Sequence, residues 1–254
     1  MIAGSIAKHP LNYAHRGASH DAPANTLAAF HLAAELGADG IEFDVHLSKD
    51  GEAVVIHDFS LDGTTDGQGQ VRDHTLAELR ELDAGSWFDA AYAGQRIPTL
   101  QEVVDNVGHR LQFNIELKTK GLRDEGLAAE VVRIVEDNNL SGRVIISSFS
   151  PLLLRWVRKA NPTIPLGLLY STDQNLPLRK AWFRHLLHVE ALHPHYSMVN
   201  SQYVGWARAR GYRLHVWTAD DPVVMRELIQ LGVDIIITNR PDLLGQILQI
   251  ERGG

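Results

Sequence analysis

A strand-then-helix pattern repeated eight times along 254 residues constrains this chain more than any other feature. Short β-type runs stand at Asn12–His15, Gly40–Asp44, Gln112–Leu117, Val144–Ser148, Leu166–Tyr170, Glu190–His193, Arg213–Trp217 and Asp234–Thr238. Helical patterns stand at Thr26–Leu36, Leu100–Val107, Glu125–Asn138, Pro151–Lys159, Pro177–Leu187, Ser201–Arg210, Pro222–Leu231 and Pro241–Ile250, several opened by a cap residue or a proline in the first turn. Runs such as Val144-Ile145-Ile146 and Ile235-Ile236-Ile237 have no polar alternation, the pattern of strands covered by helices on one side and by other strands' side chains on the other. Parallel strands need crossovers of a dozen or more residues, and an alternation sustained eight times favours closure over an open sheet. The sequence therefore predicts an α/β fold, a (β/α)8 TIM barrel, as a single domain over residues 1–254, with an open doubly wound sheet as the alternative.

One further β-type run, Glu52–His57, follows Lys49-Asp50-Gly51 too soon for a parallel return. Read as a hairpin with a two-residue Asp50-Gly51 turn, it sets Asp44 directly across from His57. Because side chains alternate along a strand, Glu42, Asp44 and His46 then share a face, and His57 joins it. Residues 58–98 hold the turn-rich stretch Leu61 to Gly67, a short helical pattern at Leu76–Leu82 and the pair Trp87-Phe88, but no barrel strand. They are expected to form an insertion in the second βα loop, lying over the barrel mouth.

Composition narrows the partners. With 24 Lys+Arg against 31 Asp+Glu the formal charge is -7, which gives no basic footprint for nucleic acid, although a small phosphate ester can still be met by a local cation. The absence of cysteine excludes disulfides, thiolate nucleophiles and Cys-ligated zinc. Nothing in Met1 to Leu11 reads as a signal peptide and no segment reads as a membrane span, so a cytoplasmic protein is expected.

In such barrels chemistry gathers at the carboxyl ends of the strands. That places His15 and Arg16, Glu42 and Asp44, His57, and Glu116 and Lys118 around one opening. Three carboxylates in one site repel one another unless a cation neutralises them, and oxygen-only donors favour Ca2+ or Mg2+ over a zinc site built with His57 or His46. Cleaving a phosphodiester requires an activated nucleophile, a protonated leaving group and an offset for the non-bridging charge, so His15 and His57 are the candidate acid/base pair. Arg16 and Lys118 are candidate phosphate binders, with internal pairing to the same carboxylates as the other reading. Trp217 could wall off the alcohol portion of a substrate or simply pack. His46 and His193 are further side chains that could point to the mouth.

The motifs Ala14-His15-Arg16-Gly17, Pro23-Ala24-Asn25-Thr26, Ile41-Glu42-Phe43-Asp44-Val45, Lys49-Asp50-Gly51, His57-Asp58, Ile115-Glu116-Leu117-Lys118, Val216-Trp217-Thr218 and Ile237-Thr238-Asn239-Arg240-Pro241-Asp242 run through almost the whole chain in this order. In them the chain resembles the glycerophosphodiester phosphodiesterase family. The resemblance implies a barrel enzyme that uses a divalent cation to cleave glycerophosphodiesters to sn-glycerol 3-phosphate and an alcohol. His15 and His57 then correspond to the acid/base pair, and Glu42, Asp44 and Glu116 to the metal ligands. A cyclic phosphate formed by a glycerol hydroxyl is the route the family suggests. Two positions depart from the family pattern: Ala24, where a glutamate is usual, and Gly63, where a basic residue is usual. A phospholipase-type enzyme acting on lysolipids and a catalytically silent binding protein are the competing readings; retention of both histidines and all three carboxylates speaks against silence.

Overall fold

The chain's structure, a computed structural model, describes residues 9–121 and 125–253; the N-terminal expectation therefore falls, for Met1 to Lys8, outside the described residues. The elements run β1 (Leu11–His15), α1 (Leu27–Glu35), β2 (Gly40–Leu47), β3 (Ala53–Val55), α2 (Leu76–Arg80), α3 (Leu100–Val107), β4 (Gln112–Leu117), α4 (Leu127–Asp137), β5 (Val144–Ser148), α5 (Pro151–Ala160), β6 (Leu166–Tyr170), α6 (Leu176–Arg179), α7 (Arg184–Leu187), β7 (Ala191–Pro194), α8 (Ser201–Arg208), β8 (Arg213–Val216), α9 (Pro222–Leu231), β9 (Ile235–Thr238) and α10 (Pro241–Gly253). Strands pair in the order β1-β9-β8-β7-β6-β5-β4-β2, and β1 bonds β2 to close the ring. Every pairing within the ring is parallel, so the fold is the eight-stranded (β/α)8 barrel.

Alternate residues explain the closure. Ile41, Phe43 and Val45 of β2 and Phe113, Ile115 and Leu117 of β4 join one large apolar cluster with α1, α3 and α4, while Glu42, Asp44, Asn114 and Glu116 between them are buried polar residues. Phe43 anchors the layer, with ring centroids 5.6 Å from Phe30 and 5.5 Å from Phe113. Caps fix where the helices begin: Thr26 on α1, Thr99 with Glu102 as a capping box on α3, Ser150 before Pro151 on α5, and Asp221 before Pro222 on α9. No helix among the described residues is long and apolar enough to cross a membrane.

Two expectations need correction. The helix predicted over Pro177–Leu187 is two short ones. Ala181 takes a left-handed conformation (φ 48°); its N–H donates to Leu178 O and the Trp182 N–H to Pro177 O, the pair of bonds that ends a helix at a residue usually occupied by glycine. The hairpin is also one residue out of the predicted register. Val45 pairs with Val55, His46 with Val54 and Leu47 with Ala53, so Asp44 faces Ile56, whose N–H donates to Asp44 O at 3.1 Å, and not His57. The loop has three residues, Lys49-Asp50-Gly51, closed by the Ser48 N–H to Glu52 O bond, with Gly51 left-handed (φ 90°) in its last place. β3 stops at Val55, and His57 lies beyond the strand, where the chain turns away.

β3 has a structural task. β1 pairs with β2 only as far as Glu42, and β3 takes the edge of β2 from Val45 onward, which an open barrel rim would leave unpaired. Residues 58–98 contribute no barrel strand. Leu61, Val71, Leu79, Ala84 and Ile97 form their own apolar cluster with Val54 and Ile56 of the hairpin, which ties this segment to the end of β2. Since the Phe43 ring joins helix and strand layers directly behind two acidic residues, Phe43→Ala should lower stability by about 3–5 kcal/mol in urea unfolding. A loss below about 1 kcal/mol would mean that this layer does not hold β2 in place.

Candidate active site

β1 ends at His15, and the chain then turns sharply. Arg16 (φ 58°) and Gly17 (φ 82°) are both left-handed, and a Cβ on Gly17 would come within 2.6 Å of Ala29, so the turn fits against α1 only as glycine. The Arg16 N–H donates to Glu42 O at 2.7 Å, and Arg16 O accepts from the Asn25 N–H at 2.9 Å. Asn25, itself left-handed (φ 61°), donates its Nδ2 to Asp44 Oδ2 at 2.9 Å. Arg16 Nε stands 3.2 Å from the same oxygen, and Lys118 Nζ lies 3.2 Å from Asp44 Oδ1 and 2.9 Å from Glu116 Oε1.

The parallel register pairs Asp44 with Glu116 and His15 with Glu42, which brings three carboxylates together. One oxygen from each of Glu42, Asp44 and Glu116 lies within 4.8 Å of the others, and the residues are only 4%, 1% and 7% exposed. Two cations, Arg16 and Lys118, face these three acids. Burial, with Asp44 and Glu116 nearby, pushes Glu42 well above the usual carboxyl range, and burial also raises Glu116 to about 7 although Lys118 opposes it. Burial alone would raise Asp44, but Lys118, Arg16 and His57 outweigh it and hold this carboxyl below its usual range. Glu42 Oε2 is buried without a hydrogen-bond partner; the nearest ion-pair contact is His15 Nε2 at 3.7 Å. A surplus of negative charge, an orphaned oxygen and an all-oxygen donor set are what a hard divalent cation would satisfy, so the residues fit one.

His15, Arg16, Glu42, His57, Glu116, Lys118 and Trp217 line one cavity of about 190 Å3, and Asp44 lies behind it through its ion pairs. His15 Nδ1 is 2.7 Å from Asn239 Oδ1, and His57 Nδ1 is 2.7 Å from Asp58 Oδ1. Burial, with Arg16 beside it, lowers His15 to about 4, and burial likewise lowers His57. Trp217, just past the end of β8, packs edge-on against Phe149 at 5.5 Å and donates Nε1 to His193 O at 2.8 Å. These form the apolar side of the cavity.

The other two histidines are placed differently. His46 Nε2 bonds His57 O at 3.1 Å and faces a neighbouring cavity of about 530 Å3 whose lining shares only Lys118 with the first. His193 is wholly buried, 4.5 Å from the His215 ring, so its expected approach to the mouth is corrected. Alternation sends it into the barrel interior, where Gly167 makes room; a Cβ there would lie 2.3 Å from the ring. Ala24 borders Arg16, and Gly63 stands beside Asp58, where a Cβ would come within 3.0 Å of Oδ2. Sequence reasoning assigned no role to Asn25, Asn239, Asp220 or Asp58, the side chains that grip Asp44, His15, Asn239 and His57. Only Asn25 left a usable sign, since asparagine is one of the few residues at ease in a left-handed turn.

The model of the glycerophosphoryl diester phosphodiesterase family matches residues 15–243. A glycerophosphodiester phosphodiesterase of Caldanaerobacter subterraneus subsp. tengcongensis is 43% identical, covering 96% of this chain and 99% of that protein. One from Bacillus subtilis is 35% identical over 93% and 86%. The solved structure of an Oleispira antarctica phosphodiesterase in complex with the product sn-glycerol-3-phosphate superposes with a TM-score of 0.86 at 34% identity, covering 95% of this chain and 97% of that one.

The raised carboxyls set a pH dependence. A carboxyl lifted to about 7 keeps its proton in the folded, cation-free protein through the range where the unfolded chain has already lost it, so protonation favours the fold below about pH 7 and that contribution is lost as pH rises through 7. A cation entering the cluster must displace the proton. Calorimetric titration with Ca2+ in buffers of different ionisation enthalpy should show proton release near pH 6, with affinity falling as pH falls. Affinity independent of pH with no proton release would contradict the cluster's assignment.

Proposed function

Because the chain belongs to the glycerophosphoryl diester phosphodiesterase family and is a glycerophosphodiester phosphodiesterase, we propose that it yields sn-glycerol 3-phosphate and an alcohol, with His15 and His57 as the proton-transferring pair. Glu42, Asp44 and Glu116 are the proposed holders of a divalent cation, Ca2+ or Mg2+. The observation that carries this reading is the sharing of one cavity by two imidazoles and an acidic cluster with an unpartnered oxygen. The product bound in the Oleispira antarctica relative supports sn-glycerol 3-phosphate as the product here.

Bound in the cluster, the cation would neutralise the surplus carboxylate charge and offset the charge on the phosphoryl oxygens. The protein's own groups do the rest. One imidazole accepts the proton of the attacking glycerol hydroxyl as its oxygen bonds to phosphorus, and the other donates a proton to the alcohol oxygen as the old P–O bond breaks. Water then opens the cyclic phosphate with the two proton transfers reversed, breaking the new ring P–O bond to leave sn-glycerol 3-phosphate. Arg16 and Lys118, whose side chains line the cavity while they restrain Asp44, supply positive charge beside the phosphoryl group. Trp217 and Phe149 present an apolar wall to the carbon portion of the substrate.

Positioned acid/base groups contribute about 100-fold to 10,000-fold each. His15→Ala and His57→Ala should each lower kcat on glycerophosphocholine by that factor, assayed by coupled detection of glycerol 3-phosphate, with thermal unfolding unchanged. Activity within a few-fold of the parent in either variant would overturn the pair. Release of free glycerol with a phosphorylated headgroup would place the broken bond on the wrong side of phosphorus.

A further inference from the structure

An imidazole nitrogen can donate or accept, and a carboxamide can present either its oxygen or its NH2, so the 2.7 Å contact between His15 Nδ1 and Asn239 Oδ1 does not by itself fix the proton. Asp220, in the loop after β8, removes both freedoms. Its Oδ2 is 2.6 Å from Asn239 Nδ2, and its Oδ1 accepts from the Asn239 N–H at 2.8 Å and from Thr238 Oγ1 at 2.9 Å. A carboxylate only accepts, so the amide edge that faces it must be the NH2. Turning the amide over would set two acceptor oxygens against each other at 2.6 Å and leave the NH2 without this partner.

The Asn239 oxygen is therefore the atom turned to His15. The Ser19 hydroxyl, whose single proton has His15 O at 2.7 Å and the Asn239 oxygen at 2.8 Å as alternative acceptors, takes at most one of that carbonyl oxygen's two lone pairs, and the other is kept for the ring. A neutral His15 must then carry its proton on Nδ1 and its lone pair on Nε2, the nitrogen that stands 3.7 Å from Glu42 Oε2 across the site. We propose that Asn239, locked by Asp220, is a positioning residue that holds His15 as the Nδ1–H tautomer and so presents Nε2 as the proton acceptor in the cavity. The functional consequence rests on His15 belonging to the acid/base pair; the tautomer itself does not.

An isosteric exchange tests the chain of donors and acceptors. In Asp220→Asn the new amide can offer its NH2 to the Asn239 oxygen, which permits Asn239 to turn its own NH2 toward His15 and demand the opposite tautomer. The double variant Asp220→Asn, Asn239→Asp restores the original order, with the amide donating to a carboxylate that again accepts from Nδ1. Asp220→Asn should lower kcat about 100-fold with KM within about threefold of the parent, and the double variant should recover to within about tenfold of the parent. Nitrogen-15 spectra of histidine-labelled, cation-free protein at about pH 8, with the His15 signals identified by their loss in His15→Ala, should show Nδ1–H in the parent and in the double variant, and Nε2–H in Asp220→Asn. An Nε2–H parent, or a double variant no better than the single one, would overturn the proposal. Full activity of His15→Ala with the tautomer pattern intact would instead overturn the acid/base reading and leave the positioning standing.

Discussion

Everything near the mouth of this barrel is arranged around an imbalance of charge: three buried carboxylates confront two cationic side chains. Unpaired charge in a poorly solvated place costs far more than a surface ion pair gains, and burial accordingly pushes Glu42 well above the usual carboxyl range and Glu116 up to about 7. Asp44 stays ionised because Lys118 and Arg16 flank it and Asn25 donates to it. A cluster in this condition could take up a divalent cation in exchange for protons.

The barrel is what forces the imbalance. Parallel register sets Asp44 beside Glu116 and Glu42 beside His15, and the helix-facing residues between them, Ile41, Phe43 and Val45, lock β2 against slipping by a residue, which would send the acids outward. The left-handed turn at Arg16 and Gly17 then folds the β1 loop back so that Arg16 and Asn25 reach Asp44. Both candidate imbalance-facing histidines have their Nδ1 engaged, by Asn239 and by Asp58, and they arrive from the end of a barrel strand and from the segment after the hairpin.

Much of this could be read from the residues in order. Apolar runs such as Ile235-Ile236-Ile237 mark the barrel strands, and the rule that chemistry lies at strand ends is enough to bring His15, Glu42, Glu116 and Lys118 to one place, the cavity they line. The hairpin register was missed because Asp50-Gly51 suits a two-residue or a three-residue loop equally well, and only the left-handed third position of Gly51 decides. The split after α6 was missed because Ala181 fills a helix-ending place with none of the glycine that usually marks it. Asn239 and Asp220 act across two loops brought together by neighbouring strands, and no periodicity or spacing along the chain records such a partnership.

Anomalous diffraction from crystals soaked in Mn2+, a scatterer with the same preference for oxygen as Mg2+, is the most direct test of the central claim that the acidic cluster exists to hold a cation. The account predicts one strong peak bounded by carboxylate oxygens of Glu42, Asp44 and Glu116, with the His15 and His57 rings on the same cavity. No peak there at saturating Mn2+, or a peak held by other residues, would contradict it.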